Sequence, residues 1–305
     1  MRTIKLGTSA LEVPVIAVGC MRINSLDKTQ AERFVQGSLE LGANFFDHAD
    51  IYGGGQCEEI FADAIHMSDD VREKIILQSK CGIRKGMFDF SKEHILDSVD
   101  QILQRLRTDY LDVLLLHRPD TLVEPDEVAE AFDKLESSGK VRHFGVSNQT
   151  PMQIQLLKKS VKQPLVANQL QLSITNASMI ANGFNVNMAN SSAVDRDGGI
   201  LDFCRLNDIT IQPWSPFQYG FFEGVFLGNE KFPELNLKID EIAAKYNVSN
   251  TTIAIAWLLR HPANMQPVTG TMNLERLSDC AKASDIKLTR EEWYAIFLAA
   301  GNILP

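Results

Sequence analysis

The sequence predicts an α/β protein folded as a (β/α)8 TIM barrel, preceded by a short N-terminal β-hairpin. Three observations carry this prediction. Eight short apolar runs punctuate the chain, stretches with apolar residues three and four apart lie between them, and no shift in composition interrupts the 305 residues. One domain over residues 1–305 is therefore expected. A doubly wound sheet is the structural alternative. Its first strand would normally lead into G-x-G-x-x-G if it bound a dinucleotide, whereas this one leads into "AVGCMRIN".

The hairpin comes from "TIKL" and "LEV", which are separated by Gly7-Thr8-Ser9. The strand candidates are "VIAVG" (15–19), "NFFD" (44–47), "IILQSK" (75–80), "LDVLLLH" (111–117), "HFGVS" (143–147), "VANQ" (166–169), "TIQPW" (210–214) and "QPVTG" (266–270). Helical spacing marks Thr29–Glu40, Ser91–Leu106, Asp126–Ser137, Met152–Lys158, Lys238–Tyr246 and Thr251–Leu259. Asp126 is expected to open the third of these and Gly139 to follow its end. Residues 175–199, rich in Asn, and 218–236, rich in Gly and aromatics, lack periodicity and are expected to be long loops, as lids or insertions.

Bulk properties narrow the function. A net charge of −9, from 30 basic and 39 acidic residues, argues against a nucleic-acid partner, which would require a basic face. The five cysteines are odd in number and widely spaced, which points to reduced thiols in a cytoplasmic protein. "VPVIAVGC" ends like a lipoprotein cleavage box, but Glu12 and Pro14 interrupt its approach. No apolar run reaches the roughly 18 residues of a membrane span, so no membrane association is expected.

Four strands end in residues that packing would not select: Asp47, Lys80, His117 and Gln169. Alternation along a strand puts each on the face of an apolar neighbour: Phe45 with Asp47, Leu115 with His117, Ala167 with Gln169. Gln78 shares the face of Lys80. A terminal Lys or Asp is usually solvated or ion-paired, yet here all four stand at the C-terminal rim, where barrels of this class do chemistry. The residue types form a coherent device. A phenol titrates near 10 and is a poor acid at neutral pH; a nearby ammonium lowers that value, a carboxylate orients the ammonium, and an imidazole positions a substrate oxygen. Tyr52, Lys80, Asp47 and His117 suit those four roles. Reading Asp47, His48 and Asp50 as a metal site requires further ligands on other strands, and the six histidines include no His-x-His pair; no metal is expected.

At these residues the chain resembles the aldo-keto reductase superfamily. "GANFFDHADIYG" is similar to that family's Asp/Tyr segment, "ILQSKCG" to its Lys segment and "DVLLLHRPD" to its His segment. "GKVRHFGVSN", "VANQLQLS", "QPWSPFQYG" and "PVTGTMNLERL" resemble its cofactor segments, in the same order. The resemblance implies NADPH-dependent reduction of a small-molecule carbonyl, with NADH as a second cofactor. It makes Tyr52 the general acid, polarised by Lys80 and Asp47, with His117 orienting the carbonyl. It assigns Ser147, Asn148 and Gln169 to the carboxamide, and Trp214 to stacking on the nicotinamide. Ser215, Pro216, Phe217 and Gly220 go to the pyrophosphate, Gly270, Thr271, Met272 and Arg276 to the adenosine end, and Gly19, Met21 and Arg22 to the turn bordering the ribose.

The chain departs from the family pattern in places. Trp214 stands for Tyr, Gly270 for a Lys that holds the 2′-phosphate, Cys280 for Asn, and Gln171-Leu172 for Glu-Tyr, which leaves Arg276 and Thr271 as the phosphate grips. His48 stands for Thr, and its outward parity predicts a structural hydrogen bond. Arg118 either faces an anionic substrate or pairs with Asp120. Met21, Phe88, Phe184, Met188 and Phe222 are divided between pocket lining and core. A cofactor-binding redox sensor on the same fold is the functional alternative, and the sequence leaves the oligomeric state open.

Overall fold

A computed structural model describes residues 1–185, 198–220 and 222–302 of the chain. Eight parallel strands close into a barrel: β1 (Ala17–Gly19), β2 (Phe45–Asp47), β3 (Ile76–Cys81), β4 (Leu111–Leu116), β5 (Val141–Ser147), β6 (Leu165–Gln171), β7 (Thr210–Trp214) and β8 (Val268–Thr269). The ring shuts where Val268 pairs with Ala17. The hairpin, Thr3–Lys5 against Glu12–Pro14, precedes it.

Parity sorts the side chains into two cores. Ala17, Phe45, Ile76, Val113, Leu115 and Ala167 fill the barrel, and Leu6 and Val13 of the hairpin segment close its floor. Their neighbours Val18, Phe46, Leu77, Leu114 and Val146 face outward into a larger core under the helices. Gly145 is required by this geometry: a Cβ there would lie 2.6 Å from Leu115 Cδ2 and 2.7 Å from the Ala167 carbonyl oxygen.

The helices lie close to their expected positions. Lys92–Leu106 buries Ile95, Val99, Ile102 and Leu106 along one stripe, and Ser91 caps it by accepting from the His94 N–H, a contact worth about 1 kcal/mol. One cap differs from expectation. Glu124 precedes Pro125–Ser137, Pro125 takes the first helical position, and Asp126 sits inside the first turn, where a carboxylate favours the helix dipole. The helix expected from Lys238 begins at Pro233, inside the segment read as loop, and also ends at Tyr246. Gln56–Ala64, Ile200–Leu206, Leu274–Lys282 and Arg290–Ala299 are further helices without a predicted counterpart. Met188 lies outside the described residues.

Candidate active site

β2 delivers Asp47 to the inner rim, and the chain then turns back over the barrel mouth through the 3-10 turn Tyr52–Gly55. That turn explains the glycine run. Gly53, Gly54 and Gly55 have φ of 59°, 65° and 95°, the left-handed region that side chains resist. The run is a backbone requirement that places Tyr52 beside Lys80.

Lys80 is wholly buried, and its ammonium spends all three protons. Nζ donates to Asp47 Oδ2 at 2.8 Å, to the His48 carbonyl at 2.7 Å and to the Tyr52 hydroxyl at 3.1 Å. Because the Tyr52 oxygen accepts from Lys80, its own proton points elsewhere, and Tyr52 lines the cleft. Burial opposes the Lys80 charge, but Asp47 and Tyr52 outweigh it and lift the pKa above the ordinary lysine value. The Tyr52 phenol departs from expectation: its pKa is raised. Burial pushes it up more than Lys80 pulls it down, and Asp47 adds to the rise. The ammonium is already matched by a carboxylate, so the resting phenol stays protonated.

Asp47 Oδ1 accepts from Gln78 Nε2 at 2.6 Å and from Gln169 Nε2 at 3.1 Å. Gln78 and Gln212 exchange reciprocal amide bonds of 2.9 and 3.0 Å. Gln212 also donates to Gln266, which donates to the Pro14 carbonyl at 2.8 Å. A column of amides thus runs down the barrel from Asp47 to its floor. The inner parity of Gln78 was visible in the sequence, but its role, like those of Gln212 and Gln266, was not.

His117 follows β4 and lines the cleft with its ring edge-on to Tyr52, centroids 6.1 Å apart. Burial, then Lys80, then Arg118 drive its pKa well below the ordinary histidine value, so the ring is neutral. Nδ1 is buried without a partner; the tautomer protonated at Nε2 leaves only a lone pair there. Asn148, itself at φ 56°, donates to Ser147 Oγ at 2.7 Å and accepts from Trp214 Nε1 at 3.3 Å. Ser147 Oγ in turn donates to the Gln169 carbonyl.

These groups stand in a cleft of about 770 Å³ at the C-terminal mouth. Gly19, Met21, Arg22, Asp47, Gln169 and Trp214 line it, as do Ser215, Pro216, Phe217, Gly270, Thr271 and Arg276. Lys80 lies behind Tyr52, and Gly220 and Met272 do not line the cleft. Gly220 accepts from Gln171 Nε2 through its carbonyl, and Met272 packs on the outer core. The sequence reading missed Ile51, Ile83, Asn250 and Thr251 as lining residues. For the last two a signal existed: Ser249 caps helix Asn250–Arg260, whose N-terminus opens on the cleft. Helix Leu274–Lys282, capped by Asn273, begins beside it.

One other expectation changes, and two open alternatives are decided. His48 makes no ring hydrogen bond; both nitrogens are partnerless and the ring packs edge-on to Phe61 at 4.6 Å. Burial, with Lys80 adding to it, lowers its pKa to about 3, and its backbone carbonyl is the polar contributor. Arg118 does not pair with Asp120, whose oxygens cap the Phe90 and Leu122 N–H groups at 2.9 and 2.8 Å. Of the divided apolar residues, Met21 and Phe222 line the cleft, Phe88 is exposed on a hairpin, and Phe184 packs against Phe297. All five cysteines are free and buried.

Behind the site, Glu58 accepts from Ser79 Oγ and Arg105 Nε, both at 2.7 Å. Asp50 Oδ1 is buried without a partner, and burial together with Glu58 raises its pKa to about 7.

The closed parallel barrel agrees with what comparison finds. A family model described as the aldo/keto reductase family matches residues 15–297, and the chain belongs to that family; it is an oxidoreductase. Among curated proteins it is 36% identical to the uncharacterized oxidoreductase YcsN of Bacillus subtilis, over 92% of each chain. It is 33% identical to a 6-dehydroglucose reductase of Agrobacterium fabrum, over 95% of each. Among solved structures it resembles the thermostable aldo-keto reductase Tm1743, in complex with the inhibitor epalrestat, with a TM-score of 0.76 and 25% identity over 98% of this chain and 100% of that one. A Bombyx mori aldo-keto reductase in complex with NADP shares the fold, with a TM-score of 0.75 and 21% identity over 97% of this chain and 92% of that one.

Proposed function

We propose that residues 1–305 act as one cytoplasmic domain that reduces an aldehyde or ketone to an alcohol with NADPH. The observation that carries this reading is the third Lys80 N–H bond, donated to the Tyr52 oxygen with Nζ 3.1 Å away, beside the cleft. It leaves the phenol proton aimed at whatever binds there.

The cleft fits a nicotinamide dinucleotide. Two helix N-termini and the exposed Arg22 and Arg276 give one side of the mouth an anion-binding character, and Gly270 faces open space. Arg276 and Thr271 would hold the 2′-phosphate, which favours NADPH over NADH. Ser215, Pro216 and Phe217 would lie along the pyrophosphate, and Gly19, Met21 and Arg22 along the ribose. Trp214, locked by Asn148, would stack on the nicotinamide, with Ser147, Asn148 and Gln169 at its carboxamide. Gly220 and Met272 would act through the loops they support. When bound, NADPH supplies the hydride that attacks the carbonyl carbon.

The chain's own groups do the rest. The neutral His117 donates from Nε2 to the carbonyl oxygen and fixes its position. Tyr52 gives that oxygen its proton. Lys80 stabilises the phenolate left behind, and Asp47 keeps Lys80 charged and aligned.

Fluorescence titration with NADPH and NADH, followed by a carbonyl panel, tests the assignment. Tyr52→Phe should leave NADPH affinity within about threefold and lower turnover by about 10³-fold or more. Near-normal turnover in that variant would remove Tyr52 as the acid. Tight NADPH binding with no carbonyl reduced by the unaltered protein would favour a redox sensor instead.

A further inference from the structure

The arginine beside the proposed carbonyl-positioning histidine has a surplus charge. Arg118 lines the cleft and is half withdrawn from water, which lowers its pKa; the nearby Tyr52 works in the opposite direction. Its guanidinium lies 5.8 Å from the centre of the Trp214 ring and makes no ion pair among the described residues. Asp120, two positions on, is committed to two backbone N–H groups. Asp47, a carboxylate that lines the same cleft, is committed to Lys80, Gln78 and Gln169. A cation partly removed from water without a carboxylate partner is costly, and the Trp214 ring and the Tyr52 oxygen offset only part of that cost.

Its location separates Arg118 from the cofactor's anion-binding side. It follows β4, whereas Thr271 and Arg276 follow β8, four strands away around the eight-stranded ring. Among the described residues no helix N-terminus of the cleft opens beside it; Asn250 and Thr251 belong to the region between β7 and β8. Trp214 beside the guanidinium, and Phe222 stacked on that ring, make this part of the lining apolar. A single planar guanidinium suits a singly charged planar anion, which it can grip bidentately.

We propose that Arg118 is the specificity-determining contact for the substrate. The favoured carbonyl compound then carries a carboxylate on the far side of a short apolar spacer from the reacting carbon. This deepens the reductase reading and rests on it for the identity of the reacting end.

The test reads binding and turnover separately. The full chain, saturated with NADP+, is titrated with 4-methylbenzoate and with its methyl ester, neither of which has a carbinol to oxidise, through tryptophan fluorescence. Initial rates are then taken with NADPH for 4-carboxybenzaldehyde and methyl 4-formylbenzoate. The unaltered protein should bind the carboxylate about 10- to 100-fold more tightly than the ester at low salt. That preference should shrink as salt rises, fall close to unity in Arg118→Gln, and be partly kept in Arg118→Lys. Equal affinities in the unaltered protein, or an unchanged preference in Arg118→Gln, would overturn the proposal. A carboxylate preference that Arg118→Gln abolishes, with neither aldehyde reduced, would uphold the Arg118 assignment and defeat the reductase reading.

Discussion

Both ends of the barrel bury an ion pair, and they differ in where the last proton goes. At the N-terminal end Arg72 donates to Asp112, Thr108 Oγ1 and the Ile75 and Tyr110 carbonyls, at 2.7–3.0 Å. Asp112 also accepts from the Leu77 N–H, and the Tyr110 ring is stacked between Arg72 and Arg142, each 3.7 Å from its centre. Every donor there ends on a fixed structural acceptor. At the C-terminal end Lys80 matches two of its protons to Asp47 and the His48 carbonyl, and gives the third to a phenol that faces a cleft. Equal burial serves stability at one end and a reactive group at the other.

Substitutions should separate the two. Lys80→Met should lower kcat by about 10³-fold or more per folded molecule, because the phenolate loses its ammonium. Turnover near the starting level, measured beside a circular-dichroism check of folding, would dissolve the contrast. Asp112→Asn should cost about 3–5 kcal/mol in denaturant unfolding, while kcat/KM of the folded enzyme stays within about twofold. Arg276→Ala should weaken NADPH about tenfold and NADH far less. Equal losses for the two cofactors would remove the 2′-phosphate contact.

A pH-dependent effect concerns Asp50. Its carboxyl titrates near 7 in the fold against 3.8 as the reference. Between those values the folded chain holds a proton that the unfolded chain releases, so stability falls as pH rises from about 4 to 7. Asp50→Asn should flatten that part of the profile; an unchanged slope in denaturant melts would move the titration elsewhere.

The barrel was legible because apolar runs and helical spacing obey simple periods, and parity alone placed Asp47, Lys80, His117 and Gln169 on the inner face. The contacts around them were not, for physical reasons. Nothing local shows that Gln78, Gln212 and Gln266, far apart in the chain, meet in one column. The balance at Tyr52 depends on burial outweighing an ammonium already matched by Asp47. His48 was misread because parity gives the side a residue faces and is silent on whether a partner waits there; Phe61 does. Asp126 was read as opening its helix, but Glu124 precedes the helix and Pro125 takes the first helical position, so Asp126 falls inside the first turn.

The amide column has a consequence for proton traffic. Primary amides hold their hydrogens firmly and relay them poorly compared with water or hydroxyl chains. Below Asp47 the barrel axis is occupied by Gln78, Gln212 and Gln266 down to the Pro14 carbonyl. It therefore works as an insulator. On the proposed role of Tyr52, the proton it surrenders would return from the cleft side, through the mouth that admits substrate.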